Sequence, residues 1–316
     1  MPERLATIDV GTNTVLLLVA ERRGRTFVPL AERAEITRLG RGVDATGRLD
    51  PAAIADTVAA VAAFAREARS LGVERIACVA TSAARDATNG EAFFAAARAG
   101  AGVDPEVISG DEEARLVWTS AWRDFGFTPD TTQPSEGQLA VLDVGGGSTE
   151  FTFGSGAEPS GRTSLQVGAV RLTERHLRHD PVTRGEAARL LAAAREAVRP
   201  LQGMAAGGAT PGSRLVGVAG TVTTLSAVEQ ALTHYDAGRV HGATLSLPGV
   251  ERLWDRLAAL TVKERAALPG MEPKRADVIL AGCAIVLEAM RATGFDRLTV
   301  SDRGVRWGLL YDRAGA

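Results

Sequence analysis

The sequence predicts an α/β protein of two domains, and three observations lead to this fold class. The chain has 316 residues, which is about two domains at typical domain sizes. Strand-like apolar runs alternate with helical patterns along the chain, as in mixed α/β layers. The unit Ile8-Asp9-Val10-Gly11 recurs as Leu142-Asp143-Val144-Gly145. Each copy is a strand that ends in an aspartate and a glycine turn, so we expect an internal duplication.

The first half of the chain is expected to begin with strands and to continue with helices between strands. Apolar runs predict strands at residues 5–10, 15–20, 27–39, 75–80 and 106–108. Helical spacing of apolar residues predicts helices at 51–71, 91–98 and 111–122. Pro51 suits the first turn of a helix, where its missing N–H would have no partner. Ser109 is the expected N-cap of the third helix.

The second half repeats this pattern after a polar connection. Residues 124–138 are rich in turn residues, which places the domains at residues 1–122 and 123–316. Residues 204–213 predict a second loop. Strands are expected at 139–144, 149–153, 164–167, 215–218 and 298–301. Helices are expected at 186–198, 250–260 and 275–290, and from residues 221 and 305 onward.

Composition narrows the class of protein and the kind of partner. The chain is 45% hydrophobic and 23% charged, so it can bury substantial cores. Lys and Arg number 36 against 38 Asp and Glu. Any anion site must therefore be a local concentration of Arg side chains and backbone N–H groups, and we expect no nucleic-acid partner. Nearly all the positive charge is Arg, which suits bidentate phosphate binding, although a GC-rich genome would also produce this bias.

The sequence also predicts a soluble cytoplasmic protein with no membrane partner. The first residues enter a strand without an apolar signal segment, and no apolar stretch reaches the roughly 18 residues of a membrane span. Cys78 and Cys283 lie in apolar runs, which predicts buried free thiols. Four His without Cys clusters argue against a zinc site.

The two Asp-Gly turns are the best candidates for chemistry. Glycine lets backbone N–H groups approach a phosphate closely because no Cβ blocks the approach. An aspartate at the strand end can hold Mg²⁺ or its waters, so Asp9 and Asp143 are candidate metal ligands. One such turn is usually ordinary, whereas two at equivalent places indicate a phosphate site. The candidate phosphate-binding residues are Gly11, Thr12, Asn13 and Thr14, and Gly145, Gly146, Gly147 and Ser148.

Six short stretches, spread from residue 8 to residue 306, carry a resemblance to a known family that extends over almost the whole chain. Residues 8–14 and 142–150 resemble the two phosphate loops of the superfamily that includes sugar kinases, actin and heat-shock chaperones. Within it, the chain resembles the short, two-domain form of the exopolyphosphatase and guanosine pentaphosphate phosphohydrolase family. The other matching stretches are 80–85, 108–115, 217–221 and 301–306. The resemblance implies two actin-like (ribonuclease H-like) α/β domains with an interdomain cleft.

The resemblance also implies roles for individual carboxylates. Glu113 is the expected base that activates the attacking water, a role that phosphoanhydride hydrolysis requires. Its neighbour Glu112 is expected only to complement the helix macrodipole. Glu150 is expected beside Asp143, as a metal ligand or a residue that orients the water.

Arginines are the expected phosphate ligands outside the loops. The resemblance assigns this role to Arg85, with Asn89, Arg275 and Arg306 as weaker candidates. Trp307 departs from the family, which often has Glu after the last of these arginines. Residues 217–221 resemble an adenosine-contacting loop of the superfamily, and the sequence leaves open whether they bind a nucleotide.

These expectations converge on an exopolyphosphatase that uses Mg²⁺ or another divalent cation to release terminal phosphate from inorganic polyphosphate. The alternative in the same family is removal of the 5′-terminal phosphate from guanosine pentaphosphate, a phosphorylated guanosine nucleotide. A nucleotide-dependent kinase or ATP-switch protein and a catalytically silent phosphate sensor belong to other classes. A homodimer that extends the anion groove is compatible with the sequence.

Overall fold

The protein consists of two compact units, each with its own sheet and core. The computed structural model describes residues 3–126, 137–204 and 212–315. The first unit contains the chain up to Leu116 and the segment from Val305, and the second contains Val117–Gly304. Most of the two connections predicted at 124–138 and 204–213 lies outside the described residues.

The elements alternate along the chain as the sequence predicts. The strands are β1 (Arg4–Val10), β2 (Thr14–Arg23), β3 (Thr26–Ile36), β4 (Arg75–Ala80), β5 (Glu106–Val107), β6 (Leu139–Val144), β7 (Thr149–Gly154), β8 (Gly161–Leu165), β9 (Arg214–Val218), β10 (Thr244–Ser246) and β11 (Arg297–Val300). The helices are α1 (Val43–Thr46), α2 (Pro51–Ser70), α3 (Ser82–Asp86), α4 (Gly90–Ala101), α5 (Gly110–Phe125), α6 (Ala169–His176), α7 (Arg184–Val198), α8 (Leu201–Met204), α9 (Ala219–Glu229), α10 (Ala237–Val240), α11 (Leu247–Ala259), α12 (Val262–Ala266), α13 (Ile279–Thr293) and α14 (Val305–Arg313), with a 3₁₀ turn at Pro273–Arg275.

The two sheets share one topology, which confirms the predicted duplication. The first sheet has the order β3-β2-β1-β4-β5, and the second has β10-β11-β9-β6-β7-β8. In each, a three-stranded antiparallel meander precedes a parallel strand that pairs with the first strand of the meander. Strands β6, β7, β8, β9 and β11 thus take the places of β1 to β5, and β10 is an added antiparallel strand. Each unit has the mixed α/β architecture that the sequence predicts.

Strands β1 and β6 lie in the interior of their sheets and carry the two aspartates. Every residue of β6 is buried, and so is every residue of β1 after Arg4. Such strands are covered on both faces, which explains their almost unbroken apolar sequences. Asp9 and Asp143 are the penultimate residues of these strands, so burial of the strand places each carboxylate at a defined sheet end.

The C-terminal helix corrects the predicted domain division. Residues from Val305 onward were expected in the second domain, but α14 belongs to the first unit. Its side chains Trp307, Leu310 and Tyr311 pack with apolar residues of β1, β2 and β3. The chain also passes between the units within α5 rather than in the connection that follows it. A contiguous division of the sequence misses both features because the apolar face of α14 is buried against strands about 300 residues earlier in the chain.

Burial of the thiols follows the prediction as well. Cys78 and Cys283 are both buried and free. No helix in the described part of the chain combines the length and apolar character needed to cross a bilayer.

Candidate active site

The first candidate phosphate loop, residues 11–14, joins β1 to β2. The Gly11 N–H donates to the Thr14 carbonyl at 3.0 Å, which closes the turn. The carbonyls of Thr12 and Asn13 accept backbone N–H bonds from the segment after β3, at 2.8 and 3.1 Å. The backbone of this loop is therefore held in one conformation by a neighbouring segment of the same unit.

The second candidate loop, residues 145–148, joins β6 to β7 and repeats this turn. The Gly145 N–H donates to the Ser148 carbonyl at 3.1 Å. The carbonyls of Gly145 and Gly146 accept bonds from the first N–H groups of α6, at 3.0 and 2.9 Å. The structure thus gives both predicted loops the same closing hydrogen bond, although different elements support them.

Asp9 is a buried carboxylate at the end of β1, with 8% of its surface exposed. Among the described residues, its Oδ1 atom has no hydrogen-bond partner. Burial raises the pKa of Asp9 to about 7, and the charge of Arg306 opposes that rise. A carboxylate oxygen in this state needs either a proton or a cation.

Asp143 and Glu150 are brought together by the pairing of β6 with β7. They lie directly opposite each other in the antiparallel register, and both are buried. Ser164 Oγ donates to Glu150 Oε1 at 2.7 Å and orients that carboxylate from β8. Two acids directly opposed on neighbouring strands repel each other, so a bound cation would stabilise the pair.

These oxygen donors fit a Mg²⁺ ion that keeps some of its waters better than they fit a metal ion bound entirely by protein side chains. Within residues 3–126, 137–204 and 212–315, no three His, Cys, Asp or Glu side chains form a group that could hold a metal. Mg²⁺ is commonly bound by one or two carboxylates, waters and substrate phosphates. The opposed carboxylates of Asp143 and Glu150 have the chemistry that such a site requires.

Glu113 lies in the first turn of α5, and its side chain is 10% exposed. Ser109 Oγ accepts the Glu112 N–H at 3.1 Å, which confirms Ser109 as the N-cap. Arg85, at the end of α3, donates from Nη1 to the Ile108 carbonyl at 2.9 Å. The same Nη1 atom lies 3.5 Å from Glu113 Oε2. The fold therefore brings the expected base and the expected phosphate ligand into one ion pair.

Arg85 also has a donor that its ion pair leaves unused. In the part of the chain that the structure describes, Arg85 Nη2 is buried without a hydrogen-bond partner. A buried donor without a partner costs about 1–3 kcal/mol. A phosphate oxygen would satisfy it.

Glu112 has a structural role, as its place in the first helical turn indicates. Its two carboxylate oxygens accept bonds from Arg115 at 2.6 and 2.8 Å. Arg115 also donates to Asp312 of α14 at 2.7 Å. This network joins α5 to α14 within the first unit.

Arg306 and Arg275 occupy different surroundings from Arg85. Arg306 Nη2 donates to Glu32 Oε2 at 2.8 Å, so its charge is already paired. Arg275 lies against the 217–221 turn: a Cβ added to Gly220 would come 1.4 Å from Arg275 Nη1. Their assignment as phosphate ligands stays a prediction. Trp307, at the position that departs from the family, is a buried residue of α14 that packs with apolar residues of the first sheet.

Arg171 is a residue that the sequence analysis missed. It lies on α6, a helix that was not predicted, and its Nε donates to the Gly147 carbonyl at 2.9 Å. The helix has only eight residues, which is too short for a clear periodic pattern. A signal was present in the mixture of Val170, Leu172 and charged residues soon after the glycine loop.

Known proteins resemble this chain over its full length. The model of the Ppx/GppA phosphatase family matches residues 18–316. The protein named Exopolyphosphatase 2 of Mycobacterium tuberculosis is 39% identical, with 99% of each chain covered. The Ppx/GppA family member of Aquifex aeolicus is 33% identical, with a TM-score of 0.80 and coverage of 99% of this chain and 98% of that one. An exopolyphosphatase structure from Cytophaga hutchinsonii has a TM-score of 0.87 at 26% identity, with the same coverage. The chain belongs to the Ppx/GppA phosphatase family.

Proposed function

We propose that the protein is an exopolyphosphatase that releases terminal phosphate from inorganic polyphosphate by attack of water. The observation that carries this proposal is the buried Glu113 carboxylate, paired with Arg85 at 3.5 Å. A base beside a phosphate ligand is what hydrolysis of a phosphoanhydride needs, since a water and a phosphoryl group must both be positioned. Relatives named exopolyphosphatases, similar over the full chain, support polyphosphate as the substrate.

The proposed role of Glu113 is to accept a proton from the attacking water. The water oxygen then bonds to the terminal phosphorus, and the bond to the bridging oxygen breaks. The shortened chain leaves with the negative charge on that oxygen, and orthophosphate is released. Arg85 would hold Glu113 through Nη1 and bind a terminal phosphate oxygen through Nη2.

The glycine loops are proposed to bind phosphate through backbone N–H groups, and Asp143 and Glu150 to hold a divalent cation. Bound Mg²⁺ would neutralise charge on the phosphate oxygens of the substrate. Ser164 supports this role because it fixes one oxygen of Glu150. Asp9, in the first unit, is itself a proposed cation ligand, because its buried Oδ1 has no hydrogen-bond partner among the described residues.

One assay separates this function from its competitors. Phosphate release is measured with Mg²⁺ on long polyphosphate, tripolyphosphate, guanosine pentaphosphate and ATP, side by side. We expect the highest kcat/KM on long polyphosphate and its near loss in Glu113→Gln. A higher kcat/KM on guanosine pentaphosphate would replace polyphosphate with the nucleotide. Transfer of phosphate from ATP to an acceptor, with no release to water, would favour a kinase.

A further inference from the structure

Three successive carbonyls of the second loop are all held from one side. Those of Gly145 and Gly146 accept N–H bonds from the start of α6, and Arg171 Nε donates to that of Gly147 at 2.9 Å. The Arg171 N–H reaches the Gly146 carbonyl as well, at 3.3 Å. Groups of helix α6 therefore bond to the carbonyls of Gly145, Gly146 and Gly147, whereas the Ser148 carbonyl accepts the Gly145 N–H.

The orientation of the carbonyls determines where the N–H groups of the loop point. In a trans peptide the C=O and the following N–H lie on opposite sides of the chain, and these peptide bonds are trans. The N–H groups of Gly146, Gly147 and Ser148 are consequently directed away from α6. Successive N–H groups on one side of a turn form a concave anion-binding surface.

Gly168, which directly precedes α6, lies so close to the loop that a larger residue would not fit there. A Cβ at this position would come 2.3 Å from the Gly146 carbonyl oxygen. Backbone N–H groups bond to the carbonyls of the first two peptides of the loop, and a side chain bonds to the carbonyl of the third. That side chain is Arg171.

We propose that Arg171 is a positioning residue of the second phosphate loop, which holds the Gly147–Ser148 peptide so that the Ser148 N–H faces the substrate. The inference deepens the proposed function, since it rests on this loop as a phosphate site. The guanidinium of Arg171 also places a positive charge beside the loop, and this charge would attract the negatively charged polyphosphate. Arg171 thus affects phosphate binding because it orients the loop backbone, and it does not act on the proposed base, Glu113.

The variants Arg171→Ala, Arg171→Gln and Arg171→Lys separate the hydrogen bond from the charge. Loss of a hydrogen bond that involves a charged group changes an equilibrium constant by about ten- to a hundredfold. We expect Arg171→Ala to raise KM for tripolyphosphate by about that factor and to change kcat by less than about threefold. Arg171→Lys should recover part of the loss and Arg171→Gln less of it. Arg175→Ala removes an exposed arginine from the same helix and serves as the control.

A second measurement does not depend on turnover. In wild type, tripolyphosphate with Mg²⁺ should shift the backbone amide resonances of Gly146, Gly147 and Ser148 in ¹⁵N-labelled full-length protein. In Arg171→Ala the shift at Ser148 should fall most. Equal amide shifts in variant and wild type, or a KM change below about twofold, would overturn the positioning role. Amide shifts without any phosphate release from polyphosphate would instead count against the proposed function and leave the role of Arg171 supported.

Discussion

Arg85 Nη1 lies 3.5 Å from Glu113 Oε2, and the same nitrogen donates to the Ile108 carbonyl at 2.9 Å. The carbonyl anchors the guanidinium, so the ion pair orients a carboxylate that is almost buried. This pair therefore links the predicted phosphate ligand to the orientation of the predicted base.

Replacement of Glu113 by Gln should abolish most turnover while the fold is kept. The amide has nearly the same shape but cannot accept the proton, so kcat should fall by about 10²–10⁴-fold. The measurement is phosphate release from polyphosphate together with Tm. Glu112→Gln is the matched control, because the Glu112 carboxylate bonds to Arg115, which also bonds to Asp312. A loss below about tenfold in Glu113→Gln would remove Glu113 from the role of base.

Replacement of Asp143 by Asn should raise the Mg²⁺ concentration that gives half-maximal activity. A neutral amide binds a hard cation less well than a carboxylate does. Because Asp143 and Glu150 lie opposite each other, Glu150→Gln should act in the same direction. The exposed Asp255→Asn of α11 is a control for loss of one acid from the same unit. An unchanged Mg²⁺ titration in both site variants would show that the cation is held elsewhere.

Replacement of Arg85 by Ala should weaken binding of long polyphosphate and flatten its salt dependence. Each phosphate contact releases counterions, by analogy with nucleic-acid backbones, so the slope of log KM against log salt should fall by about one. We also expect a lower kcat, because Glu113 loses its ion pair with Arg85. Arg66→Ala, an exposed position on α2, should leave both quantities unchanged.

The same titration tests the substrate. Guanosine pentaphosphate carries fewer charges than long polyphosphate, so its KM should depend less steeply on salt. Equal and shallow slopes for the two substrates would contradict polyphosphate as the preferred substrate.

The buried Asp9 should make the metal-free protein less stable as the pH rises. Its pKa is about 7 in the folded state, against an ordinary value of 3.8, so the folded state binds more protons between these values. Stability therefore falls as the pH rises from about 4 and levels off above about 7. Asp9→Asn cannot ionise, and its advantage over wild type should grow by up to about 4 kcal/mol across this range.

This prediction is measured as Tm in EDTA at several pH values. Asp56→Asn, exposed on α2, is the control and should follow wild type. A Tm difference between Asp9→Asn and wild type that does not change with pH would show that Asp9 does not titrate in this range. If Asp9 helps to hold a cation, added Mg²⁺ should raise the Tm of wild type more than that of Asp9→Asn.

The sequence by itself determined the features that are encoded locally. The two Asp-Gly loops, their duplication and the alternation of strands and helices are each carried by consecutive residues. The N-cap at Ser109 is local as well, since its partner N–H belongs to Glu112, three residues later. Resemblance over residues 80–85 and 108–115 predicted Arg85 and Glu113 as site residues.

Only the tertiary structure decided which distant residues meet. Arg85 and Glu113 come from separate helices, and Arg306 pairs with Glu32, which is 274 residues away. The packing of α14 on the first sheet also joins residues that are far apart in the sequence. The hydrogen bond from Arg171 to the Gly147 carbonyl does so as well. Such contacts depend on which faces the sheets and helices bury against one another. The spacing of residues along the chain does not contain that information, because burial is a property of the assembled layers.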